Sequence, residues 1–538
     1  MMNSKEMNRE DVDIQWASFT SSLYRQHDIN MNSVDVCRAF STECKKLDLL
    51  SSDANNPHAF KDESAFWDFV GDYLVYHLGD EQLEDDHGWN KNVPSTSAVE
   101  AFLKQRHIQL VVLLKEWLER HLVDSHAILS TLETKVDEAV FWALRGGHMQ
   151  KAKDLLMKSP TPWKASILEG GDYKRDPKKR RQWRTAVCQL ITDLDLNKNV
   201  YEAAWLGLLI GECNGAKRIF LNTVHSTWRD YLWCNCVELL DRGCEAALMG
   251  CEYNDVELVG LFTNGIPDRL CDAQFACLKA LYTGDYTKID PLDRMSVHFA
   301  CLVCNNDVES KDQILFQWMK SRLSEANFYF VFYCKFFSNR KMAAHVLADI
   351  ILQSTPDMVK TLLVAVQDFD LSDLLPDAVL NVFKESKDFH LYKDLLVYLN
   401  PRDAFTIVFD EMAKLVDFND WRKTCQHFNK FIDNLPKGVV CFDSVDKVED
   451  ECVVARIACI LHLARVGVLY EQYNKMLRRG PHLDEIVDSK LRETLSRAYK
   501  ARLDSSKHAF KTACNELVEN GAWLDECLSR DEFIQKMR

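Results

Sequence analysis

Cysteine offers the first candidate chemistry. Cys301-Leu-Val-Cys304 has the spacing at which two thiolates can share a zinc ion or form a redox pair. A structural zinc also needs a second pair at comparable spacing, and none follows. The pair lies in an apolar stretch, Phe299–Val303, so it reads as two small core side chains of a helix. Cys234-Asn-Cys236 cannot place both thiols on one helix face. His121 and His126 stand five apart with His107 upstream, whereas two ligands on one helix usually need a separation of four; they read as solvated or packing histidines. The acids Asp80, Glu81, Glu84, Asp85 and Asp86 lack the alternation and central glycine of a calcium loop and read as a solvated loop. Lys174-Arg175-Asp-Pro-Lys178-Lys179-Arg180-Arg181 is the one basic cluster. It could serve nuclear import, contact phosphates, or be a solvated loop before a helix at Trp183, and the last is the plainest use.

Larger catalytic signatures are absent. The chain has no glycine-rich dinucleotide or P-loop motif, no Gly-x-Ser-x-Gly and no His-Glu-x-x-His. No residue is assigned a catalytic, cofactor-binding or metal-binding role, and the expectation is a protein that is not an enzyme and carries no cofactor.

The elements that would hold any such residues are helices. With 538 residues the chain exceeds one compact core, and only 19 Gly and 12 Pro argue against a turn-rich β or α/β fold. Leu110, Leu113, Leu114, Trp117, Leu118 and Leu122 form one apolar stripe on a helix predicted over Ser97–Val123, which Ser97 and Glu100 would cap. Val453, Val454, Ile457, Ala458, Leu461 and Ala464 form another. Thr355-Pro356 and Asn400-Pro401 pair a capping residue with a proline at the first helical position. Glycines at 146, 147, 170, 211 and 284 mark turns between helices, without a strict period. The predicted fold class is all-α, an elongated irregular solenoid of stacked helix pairs. Two parts are expected: an N-terminal helical solenoid over 1–330 and a C-terminal helical domain over 331–538.

The formal charge of −15 disfavours generic nucleic-acid binding, and no apolar run reaches the length of a membrane span. Nineteen scattered cysteines and a polar, acid-bearing start without a signal peptide read as a reduced compartment, cytosol or nucleus. Thirteen tryptophans are enough for some to anchor partners as well as fill the core.

Residues 140–240 carry a resemblance. Phe141-Trp-Ala-Leu-Arg-Gly-Gly-His-Met-Gln-Lys-Ala152 is followed by Trp163-Lys-Ala-Ser-Ile-Leu-Glu-Gly170, the basic run, and Arg181-Gln-Trp183. Then come Tyr201-Glu-Ala-Ala-Trp-Leu-Gly-Leu-Leu-Ile-Gly211 and Trp228-Arg-Asp-Tyr-Leu-Trp233. This order resembles the nuclear pore protein 84/107 family. Upstream, Arg106-His-Ile-Gln109 through Glu116-Trp-Leu-Glu119 is similar to a family helix, and Asp417-Phe-Asn-Asp-Trp421 to a later segment. The chain is shorter than known family members and lacks their long N-terminal extension.

The resemblance implies a structural scaffold subunit of the Y-shaped nuclear pore subcomplex, at the nuclear envelope and, in animals, also at kinetochores. It implies support of pore assembly, nucleocytoplasmic transport and mRNA export. The implied partners are a 96/145C-type nucleoporin on the N-terminal helical region and a 133-type nucleoporin on the C-terminal one. Neither a small-molecule substrate nor a specific nucleic acid is expected. Candidate partner-binding residues are Phe418, Trp421, Trp523, Leu524, Leu528, Phe533 and Ile534. The rival reading is a helical-repeat subunit of another large assembly, of vesicle-coat, proteasome-lid or initiation-factor type; a helical transferase is the enzyme alternative.

Overall fold

A computed structural model describes residues 32–50, 59–78, 96–120, 135–170, 176–223, 226–251, 258–304, 307–323, 328–386, 388–415, 421–436, 466–478 and 488–519. All regular structure among them is helical, as the scarcity of turn formers predicts. The chain divides into two compact units, Met1–Trp318 and Met319–Arg538. No helix of the described residues is long and apolar enough to cross a membrane.

The first unit begins with α1 (Ser33–Leu50) and α2 (Ala59–Leu78), packed along each other, then α3 (Thr96–Lys104) and α4 (Arg106–Arg120). The single helix expected over Ser97–Val123 is therefore two. It breaks at Gln105, whose amide turns back to Phe102 O (3.1 Å). The apolar stripe lies wholly in α4, where Ile108, Leu110, Val111, Leu114, Trp117 and Leu118 are buried. Next come α5 (Val136–Arg145), α6 (Met149–Met157), a 3-10 turn at Pro162–Lys164, α7 (Ala165–Gly170) and α8 (Pro177–Asp193). After α9 (Val200–Leu209) and α10 (Asn214–Asn222), the 22-residue α11 (Trp228–Met249) runs through the interior. α12 (Leu258–Thr263), α13 (Ala273–Thr283), α14 (Arg294–Val303) and α15 (Val308–Ser321) follow.

Carboxylates close the exposed amides at helix starts, as capping requires. Asp176 accepts from the Lys178 and Lys179 amides (2.9 and 3.2 Å), Asp272 from Phe275 (2.9 Å) and Asp293 from Ser296 (2.9 Å). Gly147, Gly211 and Gly284 take left-handed φ of 71°, 67° and 69°, a region costly for side chains. At the double glycine the left-handed residue is Gly147, whereas Gly146 keeps φ −87°.

The stacking is not purely sequential. Glu63 on α2 accepts from Arg294 on α14 (2.7 Å), and Tyr73 donates to Leu281 O on α13 (3.0 Å). Tyr282 donates to Leu110 O on α4 (2.7 Å), and Trp117 to Ala65 O on α2 (3.0 Å). The first two helices thus close against the last ones of the same unit.

The second unit contains α16 (Phe328–Tyr333), α17 (Arg340–Gln353), α18 (Pro356–Asp368), α19 (Leu375–Glu385), α20 (Phe389–Tyr392), α21 (Pro401–Lys414) and α22 (Trp421–Asp433). A helix over 466–478 (α23) and the 31-residue α24 (Ser489–Glu519) complete it. Thr355 and Asn400 cap as their proline-following positions predict, accepting from Met358 N (3.4 Å) and Asp403 N (2.9 Å). The core is apolar and aromatic. Phe332 meets Phe336 and Phe369 at 5.4 and 5.2 Å, and Phe389 meets Phe431 at 5.1 Å. α24 lies antiparallel on α23, with Phe510 5.4 Å from Tyr470 and the Tyr499 hydroxyl donating to Met476 O.

Candidate functional site

The residues that carry the family resemblance converge in the first unit as a buried polar lattice. Arg145 ends α5 and is 1% exposed. Its Nε donates to Asp230 Oδ1 (3.0 Å), its Nη1 donates to Leu118 O (2.9 Å), and its guanidinium lies 4.9 Å from the Trp233 ring centroid. Asp230 also accepts from the Thr227 amide (2.9 Å), so one carboxylate caps α11 and neutralises the arginine. Trp233 donates to Glu119 (3.0 Å), which also pairs with Lys115 (2.6 Å). A Cβ on Gly147 would fall 2.8 Å from Glu119 Oε2, so the turn after α5 needs glycine for space as well as for φ.

A second knot forms on the first turns of α8. Arg180 is fully buried, with Nε 2.6 Å from Glu245 and Nη2 3.2 Å from Asp241. Arg184 donates to Asp241 (2.8 Å) and to Ile210 O (2.6 Å), holding the end of α9. A Cβ on Gly211 would lie 2.4 Å from Asp241 Oδ2, and one on Gly170 1.9 Å from Trp183 Nε1. Trp183 donates to Ile167 O (3.1 Å). Lys164 pairs with Glu202 (2.5 Å), Trp205 donates to Asp137 (3.1 Å), and Trp228 to Asp272 (2.8 Å).

This lattice corrects the reading of the basic run. Lys178, Lys179, Arg180 and Arg181 lie not in a loop but in a helix that starts at Pro177, and Arg180 is an interior ion-pair residue. The counter-ions Asp241 and Glu245 stand some sixty residues later, beyond any local pattern. Lys174 and Arg175 lie outside the described residues, as do His121, His126, the acids at 80–86 and the apolar stripe from Val453 to Ala464.

The cysteine pairs are core residues. Cys234, Cys236, Cys301 and Cys304 are buried, and burial pushes the Cys301 thiol up to about 12. Cys304 and Cys236 shift upward by the same cause, opposite to the lowering that activates a thiolate. Among the described residues no cluster of His, Cys, Asp and Glu could hold a metal ion.

Residues 130–306 match the family model of nuclear pore protein 84 / 107. This segment belongs to the nuclear pore protein 84 / 107 family. No curated protein matches the chain.

The matched segment also presents apolar side chains to solvent. Met149 and Met157, at the two ends of α6, are 49% and 57% exposed, and Trp163 in the following turn is 55% exposed. Their neighbours Ala152, Leu156, Ala165 and Leu168 are buried. Met149 also lines a cleft of about 800 Å³, together with Leu103, Val112, Leu168, Leu208, Leu209 and Leu240. Lys115, Glu116, Glu169 and Asp241 supply its polar lining. Met157 falls off the Ala152–Leu156 stripe of α6, whereas Met149 shares that face, so helical period alone marks only Met157 as exposed.

Of the partner residues expected from sequence, Trp421 is the first residue of α22. Phe418, Trp523, Leu524, Leu528, Phe533 and Ile534 lie outside the described residues.

Proposed function

We propose that this nucleoporin is a non-catalytic, two-ended bridge of the Y-shaped subcomplex. Its N-terminal helical region, 1–330, takes a 96/145C-type nucleoporin, and its C-terminal helical region, 331–538, takes a 133-type nucleoporin. Through these contacts it supports pore assembly, nucleocytoplasmic transport and mRNA export. The observation that carries the N-terminal half is exposed Met149, which lines a mostly apolar cleft, together with exposed Met157 and Trp163 in the matched family segment. Exposed aromatic and methionine side chains beside an apolar groove suit the apolar face of a partner helix. The C-terminal half rests on the family resemblance and on the candidate anchors Phe418, Trp421, Trp523, Leu524, Leu528, Phe533 and Ile534.

Capture of tagged protein tests both ends. The full chain should hold both nucleoporins, and a chain ending at residue 436 should keep the 96/145C-type and lose the 133-type. Retention of both by the shortened chain rules out the two-ended arrangement. Met157→Glu combined with Trp163→Ala should release the 96/145C-type partner and spare the other.

A further inference from the structure

The turn between α6 and α7 reads Ser159-Pro160-Thr161-Pro162-Trp163-Lys164. Two hydroxyls are each followed by proline, and Thr161 has a lysine at the third position after it. A proline-directed kinase selects for that chemistry. Proline lacks an N–H and suits an apolar pocket beside the hydroxyl, and a cation two residues beyond it meets an acidic subsite.

The two hydroxyls are held differently. Ser159 Oγ donates to Leu156 O (2.7 Å) and so helps close the end of α6. Among the described residues, Thr161 Oγ1 has one contact, 3.4 Å to Ser159 Oγ. Thr161 is half-buried, with exposed Pro160, Pro162 and Trp163 around it. Thr161 has φ −124° and ψ 62° before the 3-10 turn Pro162–Lys164, so the turn must straighten to the extended form a kinase cleft accepts, toward which proline biases the residue before it. Lys164 is bound to Glu202 (2.5 Å) and lies 3.9 Å from Asp137, so this pair must open before a kinase can use the lysine.

We propose that Thr161 is a phosphorylation site for a proline-directed Ser/Thr kinase, and that its phosphate switches the Met157–Trp163 surface off. Thr161 Oγ1 attacks the γ-phosphorus of ATP and the bond from that phosphorus to the β–γ bridging oxygen breaks. ADP leaves, and the hydroxyl proton passes to the kinase's base. Over Met149–Gly170 four lysines face two carboxylates, Asp154 and Glu169. A phosphothreonine adds a charge of about −1.5 to −2 at pH 7, so it cancels that local excess. It also places a strongly hydrated group against Trp163, where a partner must exclude water. The switching half rests on the docking reading given above; the modification half does not.

The test incubates the purified full chain with a cyclin-dependent kinase and Mg-ATP, beside a synthetic peptide of residues 156–167, and locates the phosphate by mass spectrometry. Thr161 should be phosphorylated in both. Thr161→Val should abolish that signal, Thr161→Ser should restore it, and Lys164→Ala should slow it about tenfold in the peptide. Labelling of the peptide but not of Thr161 in the folded chain overturns the proposal, and so does an unlabelled peptide. The phosphorylated chain should then bind a 96/145C-type nucleoporin roughly tenfold more weakly. If binding is unchanged by the phosphate but lost in Trp163→Glu, the switch is wrong and the docking surface stands. If neither change alters binding, the docking reading fails with it, while the modification site stands.

Discussion

The two units solve the same problem with different chemistry. In the first, Arg145, Arg180, Asp230 and Asp241 are buried and tied to one another across helices far apart in sequence. In the second, among the described residues, the core is mostly aliphatic and aromatic; buried Asp349 pairs with the partly exposed Lys320, and Arg340 meets Asp373 at the surface. A buried guanidinium needs a specific acceptor at a specific place, whereas an apolar core accepts many residues of similar volume. Arg145, Arg180, Asp230 and Asp241 all lie inside the segment 130–306 that the family model matches.

The contrast can be broken by substitution. Arg145→Ala should cost the most, about 3–5 kcal/mol, because it strands Asp230 in the interior. Urea unfolding of the first unit would measure it, and a cost below 1 kcal/mol would show the lattice to be dispensable. Leu347→Ala in the second unit should cost about 2–5 kcal/mol, an ordinary cavity penalty for a fully buried leucine. Leu347→Met should restore most of it, while no single replacement should restore Arg145.

Gly211→Ala should cost about 1–3 kcal/mol, since it combines a left-handed φ with a Cβ at 2.4 Å from Asp241. Gly284→Ala, with the same φ and open space around it, should cost less. That difference, read by thermal unfolding, separates backbone strain from crowding. Arg340→Ala should be nearly silent, below about 1 kcal/mol, because its pair with Asp373 is exposed.

Alkaline pH sharpens the contrast in a different way. Buried thiols in the first unit, such as Cys37, Cys244 and Cys301, are raised from 9.0 to about 12 by desolvation. The unfolded chain loses these protons first, so their contribution is complete below pH 9 and falls as pH rises toward 12. Cys334 in the second unit is also raised to about 12. Among the described residues more such thiols lie in the first unit, so its urea midpoint should fall more steeply between pH 9 and 11 than that of the second. Equal slopes would mean that the thiols do not govern it.

Much of the fold could be read from local pattern. Helix period, the caps at Thr355 and Asn400, and the turns at Gly211 and Gly284 depend on neighbours within a few residues. The interior role of Arg180 could not be read that way. It sits among three other basic residues, and its acids are on α11. The break at Gln105 is hidden because apolar residues flank it on both sides, Phe102 and Leu103 before it and Ile108 and Leu110 after it. The exposure of Trp163 was hidden because tryptophan fills cores and interfaces alike. Each of these depends on which distant element arrives opposite the residue.

The closure of α2 against α14 has a consequence for biosynthesis. Glu63 and Arg294 are 231 positions apart. At roughly 5–20 residues per second, a ribosome takes on the order of 10–50 s to deliver the arginine after the glutamate. During that interval the apolar faces of the first two helices, with Phe66, Trp67 and Phe69, lack their final cover. Nascent chains stalled before residue 294 should therefore bind chaperones that recognise exposed apolar segments, and chains stalled well beyond it should not.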